Sequence, residues 1–403
     1  MASMEVRQKE YTKRAKRKIV AKKKVREADF VLLSLTLILV LFGLLMVFSA
    51  SSYENVTRGF SVYSNVVRQG VFALLGLFLM IFVVSNIDYH KYTFSFTKLF
   101  LLITLVLNVA VILFDPTKGA TRWIKVAGLS LQPSELAKFM LVLYAAHSLK
   151  RMGIRNRRPG KPVFKVFFIS GIFSLIIIIL QSNLSVGAIV FLTALFMVYL
   201  SGAKLWHILI PIVLGAAGLG LAIIKEPYRM ERLLNFTDPF KTAQGSGHQL
   251  VQSLFALTSG GVFGRGIGMS RMKAFWLPEA HNDFIFAVVV EELGLIGGLV
   301  LMLLMVFLVL RGIKIAMEAK DKFGRLLAIG ITAVFALQSL INMAVVIGAF
   351  PVTGVPLPFI SAGGTSLLVN LCAVGILLNI SKQSGEKLKD TEEPMAIEKP
   401  QRR

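Results

Sequence analysis

The chain has 403 residues, 55% hydrophobic and 17% charged, with a mean hydropathy of +0.70. Those values exclude an ordinary soluble globular protein and place the chain among polytopic membrane proteins. A formal net charge of +23 would suit a nucleic-acid binder, but the basic residues collect in loops and a tail with no nucleic-acid motif, so that class is set aside. The single cysteine, Cys372, lies in an apolar run, which excludes an intrachain disulfide and argues against a Cys-based metal site.

Residues 1–29 carry eleven Lys/Arg, with KRAKRK at 13–18 and KKKVR at 22–26. No small-residue cleavage site precedes the first apolar run, so this is read as a retained signal-anchor. The tail is a cytoplasmic segment attracted to anionic headgroups. Apolar runs long enough to cross a core of roughly 30 Å follow at 30–51, 68–87, 97–114, 132–149, 166–182, 185–201, 206–225, 284–310, 326–350 and 363–381. The spacing predicts an all-α, polytopic integral membrane protein with ten transmembrane helices, and 166–182 with 185–201 must form a hairpin. With both termini cytoplasmic, 32 Lys/Arg fall on the inner segments and 12 on the outer ones, as the positive-inside rule requires. The loop at 150–165 contributes seven of them and no acid. The domains are then a basic tail (1–29), a membrane domain (30–382) and a C-terminal cytoplasmic tail (383–403). A large extracytoplasmic loop, 226–283, lies between helices 7 and 8. Within it, HQLVQSLFALTSGG at 248–261 has helical apolar spacing and precedes a glycine-rich run, which suggests a structured lid or re-entrant element. Pro211 is placed to kink the seventh helix.

Ionisable residues beside or inside an apolar run are costly and mark function. The stretch LPEAHNDFIFAVVVEELG at 277–294 carries Asp283, Glu291 and Glu292 up to and into the eighth run. Taking Arg311 as the inner end of that helix, a rise of about 1.5 Å per residue puts Glu291 roughly 30 Å above it and Asp283 roughly 12 Å higher. Asp283 then lies at the outer headgroups, and its i, i+4, i+8 spacing with Ala287 and Glu291 puts the three on one helix face. The fourth run opens LQPSELAKFMLV, where Pro133 suits a first turn and Glu135 and Lys138 are i, i+3 neighbours. Such a pair faces the bundle interior or a wet cavity, either as a structural ion pair or as part of a site. The outer segments also hold Arg68, Lys118, Arg122, Lys125, Arg229, Arg232, Arg265, Arg271 and Lys273. Guanidinium and ammonium groups suit phosphate oxygens, so this cluster beside an aspartate suggests an anionic, lipid-linked ligand. A base next to a phosphate-binding surface fits chemistry on a phospholipid-like substrate and also fits an ion-coupled carrier.

At these residues the sequence resembles the SEDS family (shape, elongation, division and sporulation), the bacterial FtsW/RodA/SpoVE proteins, from about 30 to 381. The resemblance rests on ATRWIKVAGLSLQPSELAK at 120–138, YRMERLLNFTDPF at 228–240 and GHQLVQSLFALTSGGVFGRGIGMS at 247–270. LPEAHNDFIFAVVVEELG at 277–294 and PVTGVPLPFISAGGTSLLVNL at 351–371 complete it. It implies a peptidoglycan glycosyltransferase that polymerises lipid II on the outer face of the bacterial cytoplasmic membrane. Its partners would be a class B penicillin-binding protein transpeptidase, other divisome proteins and membrane lipids, with no nucleic acid. The family's catalytic aspartate falls on Asp283, its QPSELxK acid and base fall on Glu135 and Lys138, and Arg68 resembles a basic position at its outer cavity. Asn282 stands where Thr is commoner, His248 where Tyr is usual and SAGGTS at 361–366 where SYGGSS is usual. QSNLSVG at 181–187 replaces QPDLGT, which puts in doubt an essential role for that turn.

A sugar 4-hydroxyl attacking an anomeric carbon needs a base, which assigns the proton to Asp283. The pyrophosphate leaving group needs cations: Lys138 first, then Arg68 and Arg122, or a divalent ion such as Mg or Mn, whose ligands the sequence leaves unknown. His281 is read as an acid/base group or as an orienter of the Asp283 turn, and Glu291 as structural or as lining the cavity. The S-x-x-K run Ser270–Lys273 and the LLNIS ending at 377–381 resemble the division branch, with a septal location, more than RodA. The alternatives are the same polymerase in elongation, a lipid II flippase or another transporter, or a non-catalytic scaffold. A flippase needs a polar path across the whole bilayer, whereas these ionisable residues concentrate in its outer half.

Overall fold

The computed structural model describes residues 28–116, 121–126, 129–150, 152, 160–243, 245 and 247–384. The basic tail to residue 27, Lys118, half of the basic 150–165 loop and the tail from 385 lie outside the described residues. Each of the ten apolar runs is helical. In chain order these helices are α1 (Phe30–Thr57), α2 (Ser64–Phe78, continued by a π turn and a 3-10 turn to Asn86), α3 (Phe94–Ala110), α4 (Pro133–Leu149) and α5 (Gly160–Ile179). Next come α6 (Leu184–Leu200) and α7 (Trp206–Ile224), then three helices inside the large loop: α8 (Pro227–Thr237), α9 (His248–Gly260) and α10 (Met272–Phe275). The chain ends with α11 (Ile285–Glu318), α12 (Lys322–Val346) and α13 (Gly364–Ser384).

Among the described residues eight of these helices are long and apolar enough to cross a membrane: α1, α2 with its continuation, α3, α5, α7, α11, α12 and α13. The other two runs, α4 and α6, have 17 residues each, or about 25 Å. Burial separates the helices into two groups. In α4, 14 of 17 residues are buried, and in α12, 17 of 25, whereas α7 buries only Ile208. The first two therefore form the interior, and α7 is the most peripheral. Pro211 lies in the second turn of α7, and the helix continues through it.

One end of the bundle is tied by side-chain caps. Asp29 caps α1 through Leu32 N at 2.9 Å, accepts from Arg311 Nε of α11 at 2.8 Å, and its backbone N–H donates to Ser381 Oγ of α13 at 3.2 Å. Asp321 caps α12 and accepts from the Tyr89 hydroxyl at 2.5 Å. Burial and that carboxylate both raise the Tyr89 pKa, keeping the phenol a donor.

Two expectations are corrected. The all-α expectation is qualified in the outer loop before α4: β1 (Ile124–Val126) pairs antiparallel with β2 (Leu129–Leu131), Ile124 opposite Leu131. The residues alternate apolar and polar there, a strand period that a search for long apolar runs passes over. The eighth predicted span is also not one straight helix, because α11 is broken at Gly294, whose φ of 72° and ψ of −175° are non-helical. The backbone groups freed by the break are re-satisfied by the large loop. Glu291 O and Glu292 O accept from Arg265 N and Gly266 N, while Leu295 N and Ile296 N donate to Gly261 O and Val262 O. Four hydrogen bonds to another segment thus replace the missing helical turn, as the cost of unsatisfied backbone demands. The depth arithmetic from Arg311 assumed an unbroken helix that ends there; α11 runs on to Glu318. Asp283 also precedes the helix, in a turn where Asn282 N and Phe284 N bond to Glu279 O, so the shared-face argument with Glu291 does not hold.

Candidate active site

Four segments distant in sequence meet around Asp283 and Arg122: the turn before α11, the 121–123 segment before β1, the loop 351–363 between α12 and α13, and α8 through Arg232. A Cβ built on Gly354 would lie 3.1 Å from Arg122 Nη1 and 3.3 Å from Asp283 Oδ2. Any side chain at 354 would therefore intrude between the carboxylate and the guanidinium. The Asp283 turn is pinned from below by Asn342 of α12, whose amide donates to Asp283 O at 2.7 Å and Val355 O at 2.8 Å. The 351–363 loop is stitched to the same turn. Ser361 Oγ donates to Asn282 O at 2.7 Å, and Ala362 N donates to His281 O at 2.9 Å. Asp283 is only partly buried.

Arg122 is held rather than free to wander. Its Nε donates to Gln181 O at 3.0 Å and its Nη2 to Ser182 O at 2.7 Å, while Thr121 Oγ1 donates to Leu180 O at 2.9 Å. The divergent 181–187 turn therefore acts through backbone carbonyls. Burial lowers the Arg122 pKa, the Asp283 carboxylate opposes that shift, and the nearby Arg232 adds to it. Arg232 of α8 donates to Val352 O at 3.0 Å and stacks over Tyr228 at 4.4 Å. Its place near Arg122 makes it a candidate site residue, which the sequence reading named only among the outer cations. The i, i+4 spacing of Tyr228 and Arg232 on a short helix was the available signal.

The remaining expected residues divide. Arg68 donates to Ser130 Oγ of β2 at 3.1 Å, and its neighbour Gln69 clamps the 361–363 backbone through Ser361 O and Gly363 N. His281 Nδ1 lies 3.1 Å from Glu54 Oε2 of α1, at ion-pair distance but off hydrogen-bond geometry. Glu54 is a residue that the sequence reading missed, an acid one turn beyond the first apolar run. Glu135 and Lys138 form an ion pair at 2.8 Å with both side chains fully enclosed, and Ser366 Oγ of α13 donates to the other Glu135 oxygen at 2.8 Å. In this conformation neither offers a charged atom to a ligand. Glu291 engages Ser270 and the 271–272 backbone. Other outer cations serve structure: Arg229 satisfies Ala222 O and Ile178 O, and Arg265 satisfies Ser259 O. Among the described residues no three His, Cys, Asp or Glu side chains gather as a metal site. A hard cation here would thus draw at most one or two carboxylates, Asp283 first, with its other ligands from phosphate and water.

The FtsW/RodA/SpoVE family, described as cell cycle proteins, matches residues 30–386. A probable peptidoglycan glycosyltransferase FtsW of Geobacter sp. (strain M18) is 37% identical over 361 residues, 89% of this chain and 98% of the relative. Stage V sporulation protein E of Bacillus subtilis (strain 168) is 38% identical over 364 residues, 88% and 97% respectively. Two solved structures share the fold. One is a chain of a peptidoglycan synthase complex (TM-score 0.70, 24% identity, 89% of this chain and 99% of that one). The other is the rod shape determining protein RodA of Thermus thermophilus (TM-score 0.64, 24% identity, 89% and 98%). With the family pattern matched from the first helix to the last, the chain belongs to the FtsW/RodA/SpoVE family of cell cycle proteins.

Proposed function

We propose that this protein is a peptidoglycan glycosyltransferase that polymerises lipid II on the outer face of the bacterial cytoplasmic membrane during cell division. The observation that carries the reading is the partly buried Asp283, with the fixed guanidinium of Arg122 across Gly354 from it and Arg232 close to Arg122. Membership of a family whose relatives are named peptidoglycan glycosyltransferases supports it. All ten helices cross the membrane in this reading, the shorter α4 and α6 included, and both termini are cytoplasmic. The end tied by Asp29, Arg311 and Asp321 is then the inner one, and the Asp283 site opens outward.

In the reaction the GlcNAc 4-hydroxyl of one substrate attacks the anomeric carbon of another from the face opposite its pyrophosphate. The hydroxyl proton passes to Asp283, the new glycosidic bond inverts the donor carbon, and undecaprenyl pyrophosphate leaves. Arg122 and Arg232, with Arg68 at the rim, stabilise the charge that develops on the leaving group. A divalent ion, when bound, would add to that charge stabilisation. His281 orients the Asp283 turn against Glu54, and the Glu135–Lys138 pair fixes α4 against α13 beneath the cavity. The partner is a class B penicillin-binding protein, in keeping with the likeness to a chain of a peptidoglycan synthase complex that coordinates polymerization and crosslinking. The test is Asp283→Asn, a near-isosteric change, assayed as glycan formed from lipid II in detergent with the partner present. Turnover should fall at least a hundredfold. Wild-type turnover by the variant would remove the base assignment. Absence of polymer from the wild-type protein in detergent, where no bilayer is crossed, would favour the carrier reading.

A further inference from the structure

The proposed chemistry leaves a buried ionic cluster unused. Glu291 and Glu292 are fully buried, and Lys273 is 8% exposed. Lys273 Nζ donates to Glu292 Oε1 at 2.5 Å and to Ser49 Oγ of α1 at 2.8 Å, and Ser49 Oγ also donates to both Glu292 oxygens, at 2.7 and 2.8 Å. Glu291 accepts from Ser270 Oγ at 2.5 Å and from Arg271 N at 2.9 Å. Two adjacent glutamates thus grip the large loop twice. Their carbonyls hold residues 265–266, and their side chains hold residues 270–273. The serine and the lysine of the S-x-x-K run each spend polar atoms on these carboxylates.

Lys273 and Glu292 are 19 residues apart, and Asp283 lies near the middle of the span they close. The same helix α1 that presents Ser49 to this pair presents Glu54 to His281, two residues before Asp283. Leu277, Ala280 and Phe284, between and beside these two attachments, are buried. The catalytic turn therefore hangs between two contacts to one stiff helix, with its chain ends joined by an ion pair.

We propose that Lys273, Glu292 and Ser49 form a buried latch that positions the Asp283 turn, so that they are positioning residues for the reaction proposed above, on whose reading the kinetic part of this inference rests. A buried pair that served stability alone could be exchanged for neutral groups of similar volume with little loss. A pair that sets geometry could not, since a displacement of about 1 Å at a reacting group costs on the order of a hundredfold in rate.

The experiment compares wild-type protein, Lys273→Met, Glu292→Gln and the double variant, each with its partner. It measures thermal unfolding in detergent, kcat and KM for lipid II, and hydrogen exchange of the 277–285 amides. Each single variant strands a buried charge and should unfold at lower temperature. The double variant should regain most of the wild-type unfolding temperature. Its kcat should nevertheless remain down by roughly tenfold to a hundredfold, with KM within threefold and faster exchange at 277–285. A double variant with wild-type kcat and wild-type exchange would overturn the latch. Should the wild-type protein make no polymer, or Asp283→Asn polymerise normally, the function reading fails instead. The exchange measurement alone then judges whether the latch holds the turn.

Discussion

Substituting Gly294 with alanine tests whether the break in α11 is a fitted junction or a tolerated irregularity. At φ 72° and ψ −175° the backbone occupies a region that is nearly exclusive to glycine, and a side chain there costs about 1–3 kcal/mol. The added Cβ would also lie 2.2 Å from Val262 O and 2.4 Å from Gly264 N. Both are backbone atoms of the segment that exchanges four hydrogen bonds with the break, so neither can retreat without losing some of them. Overpacking of that kind costs about 1–3 kcal/mol more. The sum is about 2–6 kcal/mol, a large share of the 5–15 kcal/mol of a typical fold. Gly70→Ala, in α2 with nothing within 4 Å of its Cβ, is the control and should be neutral or stabilising by roughly 0.5–1 kcal/mol. Unfolding of the two purified variants by sodium dodecyl sulfate titration in mixed micelles reads the difference. Gly294→Ala within about 1 kcal/mol of wild type would refute the reasoning.

Two further outcomes follow from buried charge and fixed charge. Lys138→Met should destabilise the protein by about 3–5 kcal/mol because it strands the enclosed Glu135 carboxylate, and Glu135→Gln with Lys138→Met should recover most of that loss in the same titration. Arg122→Lys keeps the charge but loses the forked grip on Gln181 O and Ser182 O. It should lower kcat/KM for lipid II polymerisation by roughly tenfold to a hundredfold in protein that still elutes as folded on size exclusion.

The helices were legible because a membrane-spanning segment must satisfy its own backbone, so each apolar run of sufficient length admits one structure. The break at Gly294 was not. A single glycine in a helical pattern reads as tolerated, and what makes it a break is the 261–266 segment, some thirty residues earlier, whose own glycines permit the approach. A Cβ at Gly264 would meet Glu292 O at 2.2 Å, so the two glycines are one feature split across the sequence. Periodicity within a window cannot register such a pairing. The Glu292–Lys273 pair is hidden for the same reason: helix spacing led to Glu291, while Glu292 found its partner in the large loop, 19 residues earlier.

For the site, residue type and surroundings pointed to Asp283 and Arg122, but not to their meeting across Gly354 or to the addition of Arg232. Those contacts come from four segments, and only tertiary structure joins them. The 181–187 turn is the instructive case. Exchange of the usual Pro and Asp for Ser182 and Asn183 reads in sequence as loss of a functional group. Yet Arg122 is bound there by the carbonyls of Gln181 and Ser182, and Ser182 holds a φ of 49°, a left-handed conformation closed to the usual proline. Asn183 makes the turn by capping α6, its side chain accepting from Val186 N at 3.2 Å, a task asparagine and aspartate perform about equally well. What this turn contributes is carbonyl direction, set in this chain by the left-handed Ser182 and the Asn183 cap, and that direction keeps Arg122 in its place beside Asp283.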